Sequence, residues 1–323
     1  MRVTVVGAGL GGLAAAVALH RAGHEVRVLE RAEQPRENGA GIGIMPNGVR
    51  ALDALGLGEP VRAQAAPMDA GGGFRDRRGR LLVTTDQAAV ARHTGAPLVV
   101  VARRWLHGLL AAALPDGVVQ TGRPVHDPAD IDSDVVIVAD GAHSRLRARL
   151  FPDHPGLAGS GETAARAIAP AVPPGVAMVP GELVDRRTGE RFGCLPMADG
   201  RVYWYATWPG VAVEPAEPAA RQRWLADRRA DWHPAVVALL ESTPADDVHV
   251  VETAQLVRPL PTMVAGRVAL LGDAAHAMTP DLGQGACQAF EDAVALGAAL
   301  TGTEDVAAAL ARYDARRGPR TAA

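Results

Sequence analysis

The first thirty residues constrain this chain most. Arg2-Val3-Thr4-Val5-Val6 is a short apolar run, the pattern of a buried parallel strand. It runs into Gly7-Ala8-Gly9-Leu10-Gly11-Gly12 and then into an alanine-rich helix from Leu13 to Leu19. Gly23 ends that helix, and Glu25-Val26-Arg27-Val28-Leu29 reads as a second strand closing on Glu30. Strand, glycine loop, helix, strand and terminal acid together make a βαβ dinucleotide-binding fingerprint. Gly7 permits the tight turn, Gly9 lets the backbone approach a pyrophosphate, and Gly12 lets helix and strand pack closely. The helix N-terminus offers unpaired N–H groups and a positive dipole end to phosphates. Glu30 is placed to accept hydrogen bonds from a ribose diol.

A length of 323 residues allows one large or two ordinary domains. With 48% hydrophobic and 21% charged residues, the chain has ample core for either. A net charge of −3 argues against a nucleic-acid partner, which would want a basic face. Two cysteines, Cys194 and Cys287, are too few for a disulfide framework, so a reducing, cytoplasmic setting is expected. No apolar run approaches the ~20 residues of a membrane span.

After Glu30, glycines at alternate positions from Gly39 to Gly43 fit a plain loop, or a backbone lying against a close neighbour. Pro46-Asn47 opens a helix that Gly56 terminates, and residues 74–85 look like a hairpin turning at Asp76 to Gly79. Pro97 to Ala102 is an apolar strand leading to a helix at Arg103. Asp134 to Ala139 is a fully buried strand that runs into Asp140-Gly141-Ala142-His143-Ser144. Up to this point, alternating strands and helices predict a parallel α/β layer. From Phe151 the texture changes to Pro- and Gly-rich segments between short strands, the clearest being 191–197 and 201–208. Tyr203 and Tyr205 share one face of the second of these. The α/β texture returns with a buried strand at 267–271, the loop Gly272 to Gln284 and a long helix from Gly285 to Leu300.

Three loops therefore sit at strand carboxyl ends, where open α/β sheets bind ligands. The second reads DGAHSRLR (Asp140 to Arg147), and the third, with its helix, reads GDAAHAMTPDLGQGACQAFEDA (Gly272 to Ala293). With the hairpin ERFGCLPMADGRVYWYAT, this set resembles the class A FAD-dependent monooxygenases, the p-hydroxybenzoate hydroxylase-like aromatic hydroxylases. Within them it is most similar to urate hydroxylase and zeaxanthin epoxidase-like members, over nearly the whole chain. The resemblance implies a Rossmann-like FAD/NAD(P)-binding α/β domain with a parallel sheet, residues 1–70, 96–155 and 262–323. It also implies an inserted, mainly antiparallel β-sheet substrate domain, residues 71–95 and 156–261. NADH or NADPH would reduce FAD, O2 would add at flavin C4a, and the hydroperoxide would hydroxylate a small aromatic or polycyclic substrate. The same chemistry allows an epoxidase or a Baeyer–Villiger-type oxygenase, and the same fold a non-enzymatic binding protein. The expected assembly is a monomer or a homodimer.

The cofactor-binding set that the resemblance implies is Gly7, Ala8, Gly9, Leu10, Gly11, Gly12, Glu30, Arg31, Gly41, Arg103, Asp140, Asp273, Gly283, Gly285 and Ala286. Asp273 would hold the ribityl chain, although an N-cap role for the following turn explains the residue equally well. Gly283 and Gly285 would bring a helix N-terminus to the flavin pyrimidine end, and Arg103 would serve the pyrophosphate region. Arg191, Tyr203 and Tyr205 are candidate substrate contacts able to hold and deprotonate a phenol-like ring, with exposed sheet positions as the alternative. His276 reads as a packing or capping residue, and Cys287 as a small core residue. His20 and His24 lack a third ligand, so no metal is expected.

Overall fold

A computed structural model describes residues 1–34, 40–66, 72–211 and 214–322, so Gly39 lies outside the described residues. In chain order the first elements are β1 (Arg2–Val6), α1 (Leu10–Arg21), β2 (Glu25–Leu29), β3 (Gly41–Ile44), α2 (Pro46–Ala54) and α3 (Gly58–Arg62). The hairpin β4 (Gly72–Asp76) and β5 (Leu81–Thr85) leads through α4 (Gln87–Thr94) to β6 (Val99–Ala102) and α5 (Arg103–Ala112). Then come β7 (Val119–Gln120), β8 (Val135–Val138) and α6 (Arg145–Leu150). The second region holds β9 (Leu157–Ala169), β10 (Gly181–Val184), β11 (Arg191–Pro196), β12 (Val202–Pro209), α7 (Pro218–Asp227), α8 (Pro234–Ser242) and β13 (His249–Leu256). The chain closes with β14 (Val264–Ala265), β15 (Val268–Leu270), α9 (Asp273–His276), α10 (Gly285–Leu300) and α11 (Val306–Thr321).

Six strands form one sheet in the order β14-β15-β8-β1-β2-β7, parallel except at the β14–β15 edge. All four residues of β8 are buried, as are four of the five in β1, because helices cover the sheet and leave no wet face. α1 is buried along Leu13 to Leu19 and packs on α10, where a Cβ on Gly297 would lie 3.1 Å from Cβ of Ala18. Alanine on one helix and glycine on the other let the two backbones come that close.

Seven strands form the second sheet, β13-β9-β12-β11-β10-β4-β5, antiparallel apart from the β4–β10 pair. One face is apolar: Phe192, Cys194, Trp204, Ala206, Ala165 and Ala167 are buried beneath α7 and α8. Phe192 and Trp204 stack there at 5.5 Å, and the Trp204 indole N–H donates to Thr243 Oγ1 at 2.8 Å. The alternation of β12 therefore turns Tyr203 and Tyr205 to the other face, toward the six-stranded sheet's loops.

Two readings from sequence need correction. The apolar run at 97–102 is not part of the parallel layer: β6 pairs antiparallel with β3 in a separate ribbon. An apolar run looks the same whichever neighbour it finds. The glycine stretch at 41–44 is accordingly a strand, and its backbone does lie against a neighbour, the ring of Tyr203. Val100 and Ala102 of this ribbon join Ile168 and Met197 in a small apolar cluster, with Leu195 and Tyr203 against it, that seats the second sheet.

Candidate active site

The glycine loop divides its labour among three positions. Gly7 has φ +107°, and a Cβ there would meet the Ala139 carbonyl oxygen at 2.4 Å. A Cβ on Gly12 would lie 2.0 Å from the Gly7 oxygen, so only glycine lets α1 start against the turn. Gly9 is the contrast, because nothing stands within 4 Å of a Cβ placed on it. It is the N-cap of α1 and makes no side-chain cap, which leaves the first amides of the helix facing that open side. Helix α1 begins at Leu10, earlier than the alanine run suggests, with Gly11 and Gly12 inside it. Glu30 accepts from the Ala8 N–H at 2.8 Å and the Ala32 N–H at 2.9 Å, one on each oxygen. A carboxylate has about four acceptor sites, so two remain for a diol. His107 of α5 braces the loop through a 2.8 Å contact between Nε2 and the Ala8 oxygen. Arg31 is exposed just beyond Glu30.

The second loop follows β8. One carboxylate oxygen of Asp140, Oδ1, is buried without a hydrogen-bond partner among the described residues. Ser144 caps α6 by accepting from the Arg147 N–H at 2.8 Å. Arg147, which motif reading passed over although it ends DGAHSRLR, fastens this loop to the third. Its guanidinium donates to the oxygens of Ala142 at 2.8 Å and Ala274 at 3.2 Å. Burial lowers its pKa, against the pull of Asp140 and Asp273.

The third loop is clamped from behind. The Gly272 N–H donates to Asp292 Oδ2 at 3.0 Å, His276 Nε2 donates to the same oxygen at 2.6 Å, and Arg317 Nε donates to Oδ1 at 2.6 Å. Asp292 is fully buried; burial would raise its pKa, but His276, Arg317 and the Gly272 amide together hold it below the ordinary value. His276 is thus a structural donor, as expected, and Cys287 is a buried core thiol whose pKa burial pushes up to about 11. Gly272, not Asp273, occupies the N-cap of α9. The Asp273 carboxylate is exposed and takes no hydrogen bond from the described residues. A Cβ on Gly285, the first residue of α10, would lie 3.7 Å from its Oδ1, so the acid and that helix N-terminus adjoin. Gly283 turns the chain into α10 with φ +61°, and Ala286 is half-buried behind it.

Arg103, at the start of α5, lies in the field of Arg166, Asp273 and Tyr203; burial, then Arg166, lowers its pKa. A Cβ on Gly41 would lie 2.4 Å from Cγ of Tyr203, so the bare strand is what seats that ring. Tyr205 stands 6.2 Å away, lies over Gly193, and donates its hydroxyl to Glu182 Oε2 at 2.6 Å. Burial raises the pKa of both phenols, which does not suit either to act as a base. Arg191 donates to Glu162 Oε1 at 3.0 Å, to Thr207 Oγ1 at 3.0 Å and to Asp281 of the third loop. It ties sheet to loop. Gly41 and Tyr203 are in contact and Arg103 lies in the field of Tyr203 and Asp273, while Arg191 is already paired.

An orphaned acid at Asp140, an open backbone at Gly9, an uncapped helix end and an unbonded Asp273 are the donor and acceptor set that a dinucleotide with a polyol arm needs. The family model described as FAD binding domain matches residues 1–106 and 116–323. The chain belongs to the class A FAD-dependent monooxygenases. It is 34% identical to an aurachin C monooxygenase/isomerase of Stigmatella aurantiaca, over 99% of this chain and 86% of that protein. It is 33% identical to the FAD-dependent urate hydroxylase of Klebsiella pneumoniae, with the same coverage. The crystal structure of Klebsiella pneumoniae HpxO complexed with FAD and uric acid superposes with a TM-score of 0.91 at 32% identity, covering 99% of this chain and 85% of that one. The protein is an FAD-dependent monooxygenase with FAD as its cofactor. Among the described residues no helix is long and apolar enough to cross a membrane, and no cluster of side chains could hold a metal ion.

Proposed function

We propose that the three loops hold FAD and that the Tyr203 face of the second sheet forms the wall against which an electron-rich aromatic or heteroaromatic ring is hydroxylated. Bound FAD, reduced by NADH or NADPH, supplies the activation of O2. The open side of Gly9 and the free amides of α1 receive the pyrophosphate, Glu30 the ribose hydroxyls, and Asp140 the loop between them. Asp273 takes hydroxyls of the ribityl chain, and the N-terminus of α10 at Gly285 and Ala286, preceded by Gly283, faces the ring end with its positive dipole. Arg103 completes the cofactor side and Arg31 flanks the ribose.

Tyr203 lines the substrate wall with Tyr205 beside it, and Arg191 fixes the distance between that wall and the third loop through Asp281. The apolar cluster of Val100, Ala102, Ile168 and Met197 keeps water from the seam. In this reading residues 1–70, 96–155 and 262–323 serve the cofactor, and 71–95 and 156–261 the substrate; the six-stranded sheet lies in the first set and the seven-stranded sheet in the second, which supports that division. Free, buried Cys194 and Cys287 suit a reducing cytoplasm.

The observation that carries this reading is that Arg103, at the start of α5, lies in the field of both Asp273 of the third loop and Tyr203 of the second sheet, while the Tyr203 ring packs on Gly41 of β3. The test is an absorbance titration of the purified protein with FAD, followed by NADH or NADPH oxidation in air against phenols, hydroxybenzoates, hydroxypyridines and purines. A bound-flavin spectrum and oxidation accelerated by one ring class, with a hydroxylated product, are expected. Protein that takes up no FAD, or whose oxidation rate ignores every ring, contradicts it.

A further inference from the structure

The entry to α2 and the first turn of α10 lie far apart in the chain and are joined side chain to side chain. Asn47, which the sequence shows only as the opening of a helix, uses both hydrogens of Nδ2. One is donated to Gln284 Oε1 at 2.9 Å and the other to Glu291 Oε1 at 2.8 Å. Its Oδ1 accepts from Gln284 Nε2 at 3.3 Å, so the two carboxamides form a reciprocal pair. Glu291 is in turn fixed by Arg317 and Arg320 of α11. The joint is also close on its other side. The Met45 N–H donates to Cys287 Sγ at 3.3 Å, and a Cβ on Gly48 would lie 2.7 Å from that sulfur. A Cβ on Gly283 would lie 2.9 Å from Met45 Cε.

Gln284 is the N-cap of α10 and makes no side-chain cap. Its carboxamide is held by Asn47 instead, with Gln288 Nε2 also donating to Oε1 at 3.3 Å. The first amides of the helix are thereby left uncapped, beside Asp273. The influence of a helix end on a charge falls off within one turn, so the placement of that end decides how much of it a ligand feels.

We propose that Asn47 is a positioning residue: through Gln284 it holds the first turn of α10 in place with its amides uncapped. It thereby sets how strongly that helix end favours the anionic, reduced form of the flavin over the oxidised form. The inference rests on the proposed facing of this helix end to the flavin ring.

The test is the two-electron midpoint potential of the FAD-loaded protein, measured by reductive titration against a reference dye, beside its thermal melt. Asn47→Ala should weaken reduced FAD relative to oxidised FAD roughly 3- to 10-fold, the worth of a charge at a helix end. That is a midpoint about 15–30 mV more negative. Gln284→Ala breaks the same pair from the other side at a half-buried position. It should give a similar shift, and it guards against an Asn47→Ala protein that fails to fold. The double variant should shift the potential no further than either single one. Thr243→Val, which breaks the buried Trp204 bond in the other sheet, should lower the melting temperature and leave the potential in place.

A joint that serves stability alone gives a different pattern. Asn47→Ala and Gln284→Ala would then melt early with the midpoint at its wild-type value, and that result overturns the proposal. So do shifts of the two variants that add, or a shift in Thr243→Val as large as that in Asn47→Ala. Wild-type protein that takes up no FAD sinks the cofactor reading and the role of Asn47 with it. FAD uptake with a midpoint that neither variant moves sinks the role of Asn47 alone.

Discussion

Replacing Asp292 by Asn tests whether the third loop is held from behind. The fully buried carboxylate accepts from Gly272, His276 and Arg317. An amide of the same shape has one acceptor atom, so at least one donor would face an NH2 group, and Arg317 would lose its fully buried acidic partner and keep only Glu291. Breaking one side of a buried ion pair costs about 3–5 kcal/mol. At about 2 °C per kcal/mol for a large domain, the melting temperature should fall by roughly 6–10 °C. Because the Gly272 amide directly precedes Asp273, FAD affinity should also drop, by roughly tenfold if one hydrogen bond's worth of alignment is lost. Arg317→Met should cost a similar amount, and the double variant about 1–3 kcal/mol less than the sum, since both remove the same pair. The assays are thermal melts with and without FAD and a flavin fluorescence titration. An Asp292→Asn protein that melts within about 1 °C of wild type and binds FAD normally would refute the clamp.

Other perturbations separate fold from cofactor. Gly7→Ala forces a side chain to φ +107° and into the Ala139 oxygen, so it should lose at least about 1–2 kcal/mol and melt early. Gly9→Ala meets no protein atom; its stability should stay within about 1 kcal/mol of wild type, while fluorescence titration shows FAD binding weakened by more than roughly tenfold, the loss of a backbone contact. Burial would raise the Glu291 carboxyl, but hydrogen bonds from Arg320, Asn47 and Arg317 hold it down from 4.5 to about 2. A depressed carboxyl stabilises above its unfolded pKa and stops doing so as pH falls through the folded one. The melting-temperature gap between wild type and Glu291→Gln should therefore be full near neutral pH and shrink below about pH 4. Tyr205→Phe removes the donor to Glu182 and should cost about 1.5–3 kcal/mol in a denaturant titration, with little change in FAD affinity.

The cofactor half is legible because its signals are local: a strand, three glycines with distinct tasks and a terminal acid lie within thirty residues. The long α10 is equally plain, running from Gly285 to Leu300 as its composition suggests. β9 is not. This 13-residue strand contains Gly159, Gly161 and several alanines, all weak strand formers, and exists because β12 and β13 flank it. The partners of Arg191 lie 29 and 90 residues away, beyond any spacing rule, so its pairing with Glu162 and Asp281 cannot be read from sequence. Asp292 reads as one more polar residue on a helix until the third loop folds onto it.

The proposed reaction inserts one oxygen atom from O2 into an aromatic ring. Turnover with isotopically labelled dioxygen and the ring that most accelerates NADH or NADPH oxidation, followed by mass spectrometry of the product, tests it directly. One labelled oxygen atom in the product, with unlabelled product in labelled water, is the predicted result. An oxygen drawn from water, or reducing equivalents ending wholly in hydrogen peroxide with the ring unchanged, would contradict it.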